Sequence, residues 1–304
     1  MPKHHPQRIH ELGVAWSKTI LYMTLPILEN FPLFNYTKKT IVRGSHPLFV
    51  YFFHCRCLIV EHNMFQDHPD ADDERKYPDI KRNPLHEVTK TSYILGVLLG
   101  ISLGLLPQIR FKNFNIFIIA LSLFHFLEYY ITAKYNPLKV HAESFLLNNG
   151  KSYMAAHSFA ILECLIESLL FPDLKISSYS RITQLCTILG CILIILGQYS
   201  RTTAMHAAGH SFSHIVKTKK ESDHVLVKTG IYAWSRHPSY FGFFWWAIGT
   251  QLLLLNPISL VIFISVLWKF FNDRIRIEEK YLIEFFGRDY IDYKKEVSVG
   301  IPLL

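Results

Sequence analysis

Apolar residues in this chain gather into long runs, and the charged residues crowd between them. The longest run covers residues 241–271 and is interrupted only at Asn256-Pro257. As one helix it would extend roughly 45 Å at about 1.5 Å per residue, well beyond a hydrocarbon core of roughly 30 Å. Two antiparallel helices fit instead. Proline has no backbone donor and drives the residue before it out of the helical region, so Asn256-Pro257 is read as the reversal of a helical hairpin. The same reading along the chain places six spans at about 91–106, 111–131, 153–171, 182–204, 239–255 and 257–273. The expected fold class is an all-α polytopic membrane protein of about six transmembrane helices with a C-terminal helical hairpin.

Composition agrees with this pattern. Of 304 residues, 50% are hydrophobic and 18% charged, and the mean hydropathy is positive, which is a membrane-protein balance. The formal charge of +8 comes without a basic stripe interleaved with aromatics, so nucleic acid is not an expected partner; the lipid bilayer and an anionic substrate are. No stretch in the first sixty residues reads as a cleavable signal peptide, and the first span is expected to start insertion. Lysine and arginine number twenty on the side holding residues 64–90, 133–152, 201–237 and 272–304, against four in the opposite turns. The positive-inside rule then puts the 224–240 loop and both ends of the six-span core in the cytosol.

Several residues stand out inside or beside the spans. Gly96, Gly100 and Gly104 recur at four-residue spacing, a face that lets helices approach closely and leaves homodimer formation open; without a preceding strand they do not make a nucleotide loop. His125 and Glu128, three positions apart at membrane depth, either serve function or pair with each other. Glu163 and Glu167 share one helix face, either lining a cavity or facing the bundle structurally. His206, His210 and His214 recur every four residues, but Gly209 weakens the helix and no carboxylate or cysteine completes a zinc site, so no metal is expected. Cys55, Cys57, Cys164, Cys186 and Cys191 are read as thiols without a metal or disulfide role. Residues 64–90 read as a solvated polar tail.

Chemistry concentrates at the hairpin. Arg274 and Glu278 lie one helical turn apart, so both can enter one cavity, and the hairpin returns them to the side of the 224–240 loop. A guanidinium fork matches a carboxylate, and a nearby glutamate suits a cationic or amine-bearing ligand. Pro238 begins a helix where proline is tolerated, and helix N-terminal donors there could meet an anionic group. Without the 224–240 loop, Arg274 and Glu278 would read as an ordinary i, i+4 surface pair.

The strings L-V-K-T-G-I-Y-A-W-S-R-H-P-S-Y-F-G-F-F-W-W-A-I-G-T-Q, D-R-I-R-I-E-E-K-Y-L and F-F-G-R-D-Y-I-D-Y closely resemble the isoprenylcysteine carboxyl methyltransferases. The resemblance runs from Met64 to Leu304 and includes N-P-L-H-E-V and H-F-L-E-Y-Y-I-T-A-K-Y-N-P. Residues 1–63 fall outside it and are expected to be a disordered extension or the product of a start assigned too far upstream; 64–304 would be the methyltransferase domain. The resemblance implies methyl transfer from S-adenosylmethionine to the C-terminal α-carboxylate of prenylated cysteine in CaaX proteins and peptides, mating pheromone a-factor and Ras-like GTPases among them. It also implies residence in the endoplasmic reticulum membrane and a cytosol-facing cofactor pocket. By motif, the cofactor contacts would be Lys217, His224, Val225, Leu226, Val227, Tyr232, His237, Pro238, Ser239, Tyr240 and Glu278, with Arg274 holding the substrate carboxylate as the catalytic residue. Relatives of Lys217 often carry glutamine. Phospholipid N-methyltransferases and membrane sterol reductases share a similar terminal pattern and are the alternatives. A transporter is a further reading, although no paired half-helix repeats favour it.

Overall fold

The computed structural model describes residues 78–108, 111–148, 150–176, 178–221 and 224–304, and no β-strand occurs among them. Seven α-helices follow in order: α1 Leu85–Leu105, α2 Lys112–Tyr135, α3 Lys151–Leu170, α4 Arg181–Ala208, α5 Pro238–Leu254, α6 Pro257–Phe286 and α7 Arg288–Glu296. Among the described residues, four helical segments are long and apolar enough to cross a membrane: α1, α2, Tyr153–Leu170 of α3, and Arg181–Ser211, which includes α4. They expose large apolar side chains that a water-soluble protein would bury. On α4, Ile182, Leu185, Leu189, Ile192, Leu196 and Tyr199 recur at helical spacing along one exposed face. The expected extension at residues 1–63, and Cys55 and Cys57 with it, lie outside the described residues; Cys164, Cys186 and Cys191 are free thiols.

The core is aromatic and centres on α5. Phe124 of α2 stacks on Trp246 with ring centroids 4.4 Å apart, and Phe243, Phe244 and Phe271 complete the cluster. α5 reaches α4 at backbone distance because glycines face each other across the crossing. A Cβ on Gly197 would sit 2.6 Å from Gly242 O and from Trp246 N. One on Gly242 would meet Gly197 O and Arg201 N at 2.6 Å, and Gly190 opposes Gly249 and Leu253 in the same way two turns away. By contrast, Gly96, Gly100 and Gly104 of α1 have nothing within 4 Å of an added Cβ, so the glycine face singled out from spacing packs against nothing among the described residues.

Polar side chains close the end of the bundle remote from the site. Asn113 at the start of α2 donates to Thr187 Oγ1 at 3.0 Å and to Leu253 O at 2.7 Å, tying the starts of α2 and α4 to the end of α5. Between α5 and α6 the chain reverses through Leu255 in the left-handed conformation (φ 56°), followed by Asn256 and Pro257 at the first position of α6. The two glutamates of α3 serve this reversal rather than a cavity. Glu163 accepts from Ile258 N at 2.8 Å and Ser259 N at 2.7 Å, capping the amide-rich start of α6, and Glu167 pairs with the buried Lys175. The Lys175 ammonium in turn donates to Leu254 O, Leu255 O and Asn256 Oδ1, the carbonyl end of α5.

Two further expectations change. The 64–90 stretch is no free tail at its end: buried Asn83 donates to Val140 O at 2.9 Å, Ala142 N donates to Arg82 O, and α1 begins already at Leu85. α6 runs on for thirteen residues past 273, to Phe286, which carries Arg274 and Glu278 within unbroken helix.

The glycine crossing generates a contrast. Gly197→Ala must push two backbones apart and should lower thermal stability by about 1–3 kcal/mol, the usual cost of overpacking. Gly100→Ala should cause no loss and can gain up to about 1 kcal/mol of helix propensity. Thermal unfolding of both variants in one detergent checks this; equal destabilisation would mean that the crossing is not the tight point.

Candidate active site

At the opposite end of the bundle the 224–240 loop, the first turn of α5 and the middle of α6 meet. They enclose an open cleft walled by polar and aromatic side chains. Ten of the eleven residues expected to contact a cofactor line it: His224, Val225, Leu226, Val227, Tyr232, His237, Pro238, Ser239, Tyr240 and Glu278. Lys217 does not. It lines a smaller adjoining cleft that shares Ser211, Ser213, His224 and Glu278 with the first. Lys139 and Lys217 both bond Glu221, and these hydrogen bonds lower its carboxyl to about 2.

Arg274 opens onto a different cavity, bounded by Leu146, Arg201, Phe212, His214, Phe243, Phe270 and Phe271. The two spaces share Phe212, Ser213, Ser239 and Tyr240. Tyr240 is the partition. Its hydroxyl donates to Glu278 Oε2 at 2.5 Å on one side and accepts from Arg274 Nε at 2.8 Å on the other. The Arg274 guanidinium also donates to His214 O at 2.6 Å and lies 5.4 Å from the Tyr240 ring centroid. Beyond Arg274, Phe243 and Phe270 also wall a third, largely apolar cavity with Tyr153, Ala156, His157, Ala247, Ile262, Phe263, Val266 and Leu267.

Arg201, which the sequence reading did not single out, joins Glu128 and His214 in holding this partition. Glu128, 1% exposed, accepts from Arg201 Nε and from Arg201 Nη2 at 2.8 Å, and His214 Nε2 lies 3.0 Å from its second oxygen. Arg201 Nη1 donates to Ser239 Oγ at 3.0 Å, and its guanidinium carbon lies 5.6 Å from the Phe124 ring centroid and 5.5 Å from that of Phe243. Glu128 does not pair with His125, which instead bonds Phe145 O at 2.7 Å. The signal was present: a glutamate and an arginine, each at membrane depth in a different apolar helix, are stable there only as partners. His206, His210 and His214 separate, because α4 ends at Ala208 and Gly209 takes φ +48°. His206 packs on Tyr135 while His214 turns to Glu128, and no group of three histidine, cysteine, aspartate or glutamate side chains suited to a metal occurs among the described residues.

Electrostatics fit a cationic occupant of the cleft. Arg236 is bonded to Glu279, which it shares with His237 and Lys294, and to Val297 O, so its donors are engaged by the frame, whereas Glu278 reaches the cleft with a hydroxyl as partner. Burial pushes the Tyr293 phenol up to about 12 and also raises that of Tyr232, which keeps both as neutral donors. Tyr293 donates to Tyr232 O at 2.5 Å, closing α7 over the loop.

A model of the isoprenylcysteine carboxyl methyltransferase (ICMT) family matches residues 188–284, which contain every one of these chemical groups on α5 and α6. A protein-S-isoprenylcysteine O-methyltransferase of Saccharomyces cerevisiae is 82% identical over 241 residues, 79% of this chain and 100% of that protein. The chain belongs to the isoprenylcysteine carboxyl methyltransferase family. The enzyme of the same name from Schizosaccharomyces pombe is 47% identical over 225 residues, covering 70% of this chain and 93% of its own. A solved structure of the eukaryotic intramembrane Ras methyltransferase ICMT superimposes with a TM-score of 0.65 at 40% identity, over 69% of this chain and 74% of that one. In this family member, then, the helices described above form a multi-pass membrane protein.

Glu279 anchors the frame and yields a pH prediction. Burial alone would raise its carboxyl, but hydrogen bonds from His237, Lys294 and Arg236 outweigh it and hold it well below the usual carboxylate range. A depressed folded-state value stabilises fully above the unfolded value of about 4.3, and that contribution drains as pH falls toward the folded one. Glu279→Gln should therefore lower Tm by roughly 5–10 °C at pH 7, with the gap to the parent narrowing by pH 3. Unfolding scans at both pH values check it; a constant gap would contradict the assignment.

Proposed function

We propose that this protein transfers a methyl group from S-adenosylmethionine to the C-terminal α-carboxylate of prenylated cysteine, on CaaX-processed proteins and peptides. One observation carries the reading: Tyr240 lies between a cleft bearing Glu278 and a pocket bearing Arg274, and that pocket shares its Phe243 and Phe270 walls with an apolar cavity.

The donor set suits the cofactor. Glu278 supplies the negative charge that an amine or sulfonium requires, Tyr232, Phe286 and Tyr290 supply aromatic walls, and residues 225–227 lie along the rim. Bound S-adenosylmethionine supplies a methyl group already activated by positive charge, so an acceptor carboxylate with a pKa of about 3.5 needs no general base. Arg274 holds that carboxylate. Its Nη1 has no partner among the described residues, whereas Arg201 is committed to Glu128 and Ser239. A neutral amine acceptor, as in phospholipid N-methylation, would have no use for such a guanidinium. The cavity around Phe243, Phe263 and Phe270 takes the prenyl chain, whose burial is worth about 0.8 kcal/mol per methylene. Alignment by these walls, with water excluded, can account for up to roughly 7–11 kcal/mol of the barrier.

The topology belongs to the same reading. α5, at 17 residues, and the first half of α6 form the fifth and sixth spans, which puts the cleft on the cytosolic side with the twenty cationic residues. Residence in the endoplasmic reticulum membrane, where CaaX proteins are finished, accords with it. Residues 64–304 form the catalytic unit; their number equals the 241 residues over which the yeast relative is matched.

Labelled S-adenosylmethionine offered with farnesylcysteine to the purified protein in detergent should give a base-labile methyl ester, and no transfer would refute the reading. Arg274→Lys keeps the charge but loses the fork, and should cut turnover about a hundredfold with cofactor affinity little changed. Glu278→Gln should weaken cofactor binding first. Equal loss of cofactor affinity in both variants would void this division of labour. A protein beginning at Met64 should insert and turn over like the full chain; loss of cofactor binding on truncation would assign residues 1–63 a part in the site.

A further inference from the structure

The Tyr240 hydroxyl has one hydrogen, and Glu278 receives it. Its oxygen is already taken up by Arg274 Nε. The ring is held in place independently of that hydroxyl, stacked on His237 at 5.4 Å with 5° between planes and packed on Phe271 at 5.2 Å. In this arrangement a carboxylate entering beside Arg274 finds the phenolic hydrogen pointing away, and beyond it the negative charge of Glu278. A cation in the neighbouring cleft removes both obstacles. It takes up the Glu278 charge and competes for the oxygen that holds the phenolic hydrogen, which can then rotate toward the carboxylate pocket that the same hydroxyl borders.

Resting on the function proposed above, we infer that the Tyr240 hydroxyl couples the two sites: a cationic cofactor on Glu278 releases its hydrogen to the carboxylate held by Arg274, so each ligand tightens the other. Coupling of this kind is reciprocal by linkage and spans about 5- to 150-fold in known cases. Tyr240 thereby acts as more than a wall of the cofactor cleft. It makes the carboxylate pocket complete only when the methyl donor is in place, which protects the acceptor site from unproductive occupancy by other carboxylates.

The test uses binding, with no turnover. Calorimetry on the full chain in detergent measures two affinities, each with and without the other ligand. The ligands are an unreactive S-adenosylmethionine analogue bearing an amine in place of the methylsulfonium, and an N-blocked S-farnesylcysteine. The parent protein should show a coupling factor of at least fivefold, equal in both directions. Tyr240→Phe keeps the ring and its packing, and should cut that factor at least fivefold, or to near unity, while each separate affinity changes less. Tyr232→Phe, in the cofactor cleft but outside the Arg274 pocket, should weaken the analogue alone and leave the factor unchanged. Coupling near unity in the parent, or undiminished in Tyr240→Phe, would overturn the inference. So would loss of both separate affinities by more than tenfold in Tyr240→Phe, which would make the hydroxyl plain scaffolding. A parent protein that binds neither ligand would instead bring down the function on which the inference rests.

Discussion

Everything at the site depends on how closely α5 can lie against α4. Four glycines, Gly190 and Gly197 on one helix and Gly242 and Gly249 on the other, bring backbone to backbone where any Cβ would stand within about 3 Å of a neighbouring main-chain atom. That approach puts the first turn of α5 directly over Arg201. Ser200 Oγ can then donate to Pro238 O and Arg201 Nη1 to Ser239 Oγ, so the residues that line the cleft are bonded to the helix beneath them. In lipid, where apolar burial against another helix gains little over burial against acyl chains, close packing of this sort and hydrogen bonds between helices supply the cohesion.

The same reasoning explains which parts of the molecule were legible in its sequence. The hairpin was, because Asn256-Pro257 interrupts a run too long to cross once, and the chain does reverse there. The cleft was largely legible too, through a motif whose residues fold into one wall. Spacing misled at the glycines: Gly96, Gly100 and Gly104 advertise a face, yet the glycines that pack sit seven apart on two different helices, and only tertiary structure shows that they meet. At the histidines a four-residue repeat means one face only while the helix lasts, and this one stops at Ala208, before the glycine that the sequence marks as a weak point. Lys217 was drawn toward the cofactor by motif, but its ammonium is turned to Glu221 in the neighbouring cleft.

Buried charge is divided between two tasks in this fold. At the remote end, Glu163 and Lys175 satisfy the amide start of α6 and the carbonyl end of α5, which a sharp reversal buried within the protein would otherwise leave unpaired. At the site end, Glu128 gathers Arg201 and His214, and the carbonyl of that same His214 fixes Arg274. Leaving any of these charges alone at depth would be strongly destabilising, so each is defined by its partner as much as by its position.

That division bears on why two arginines so close in space should differ in use. Arg201 has its Nε, Nη1 and Nη2 bonded to Glu128 and Ser239 and is buried beside Phe124 and Phe243, so a substrate could take it only by dismantling the frame. Arg274 is half-buried at the pocket, anchored through Nε and one terminal nitrogen, with the other left over. A guanidinium held at two points and open at a third is oriented before any ligand arrives, and a carboxylate docking there need order only itself. The frame thus uses one arginine to hold the site rigid so that the other can be selective, and Tyr240, bonded to the second and to Glu278, is where the two binding sites meet.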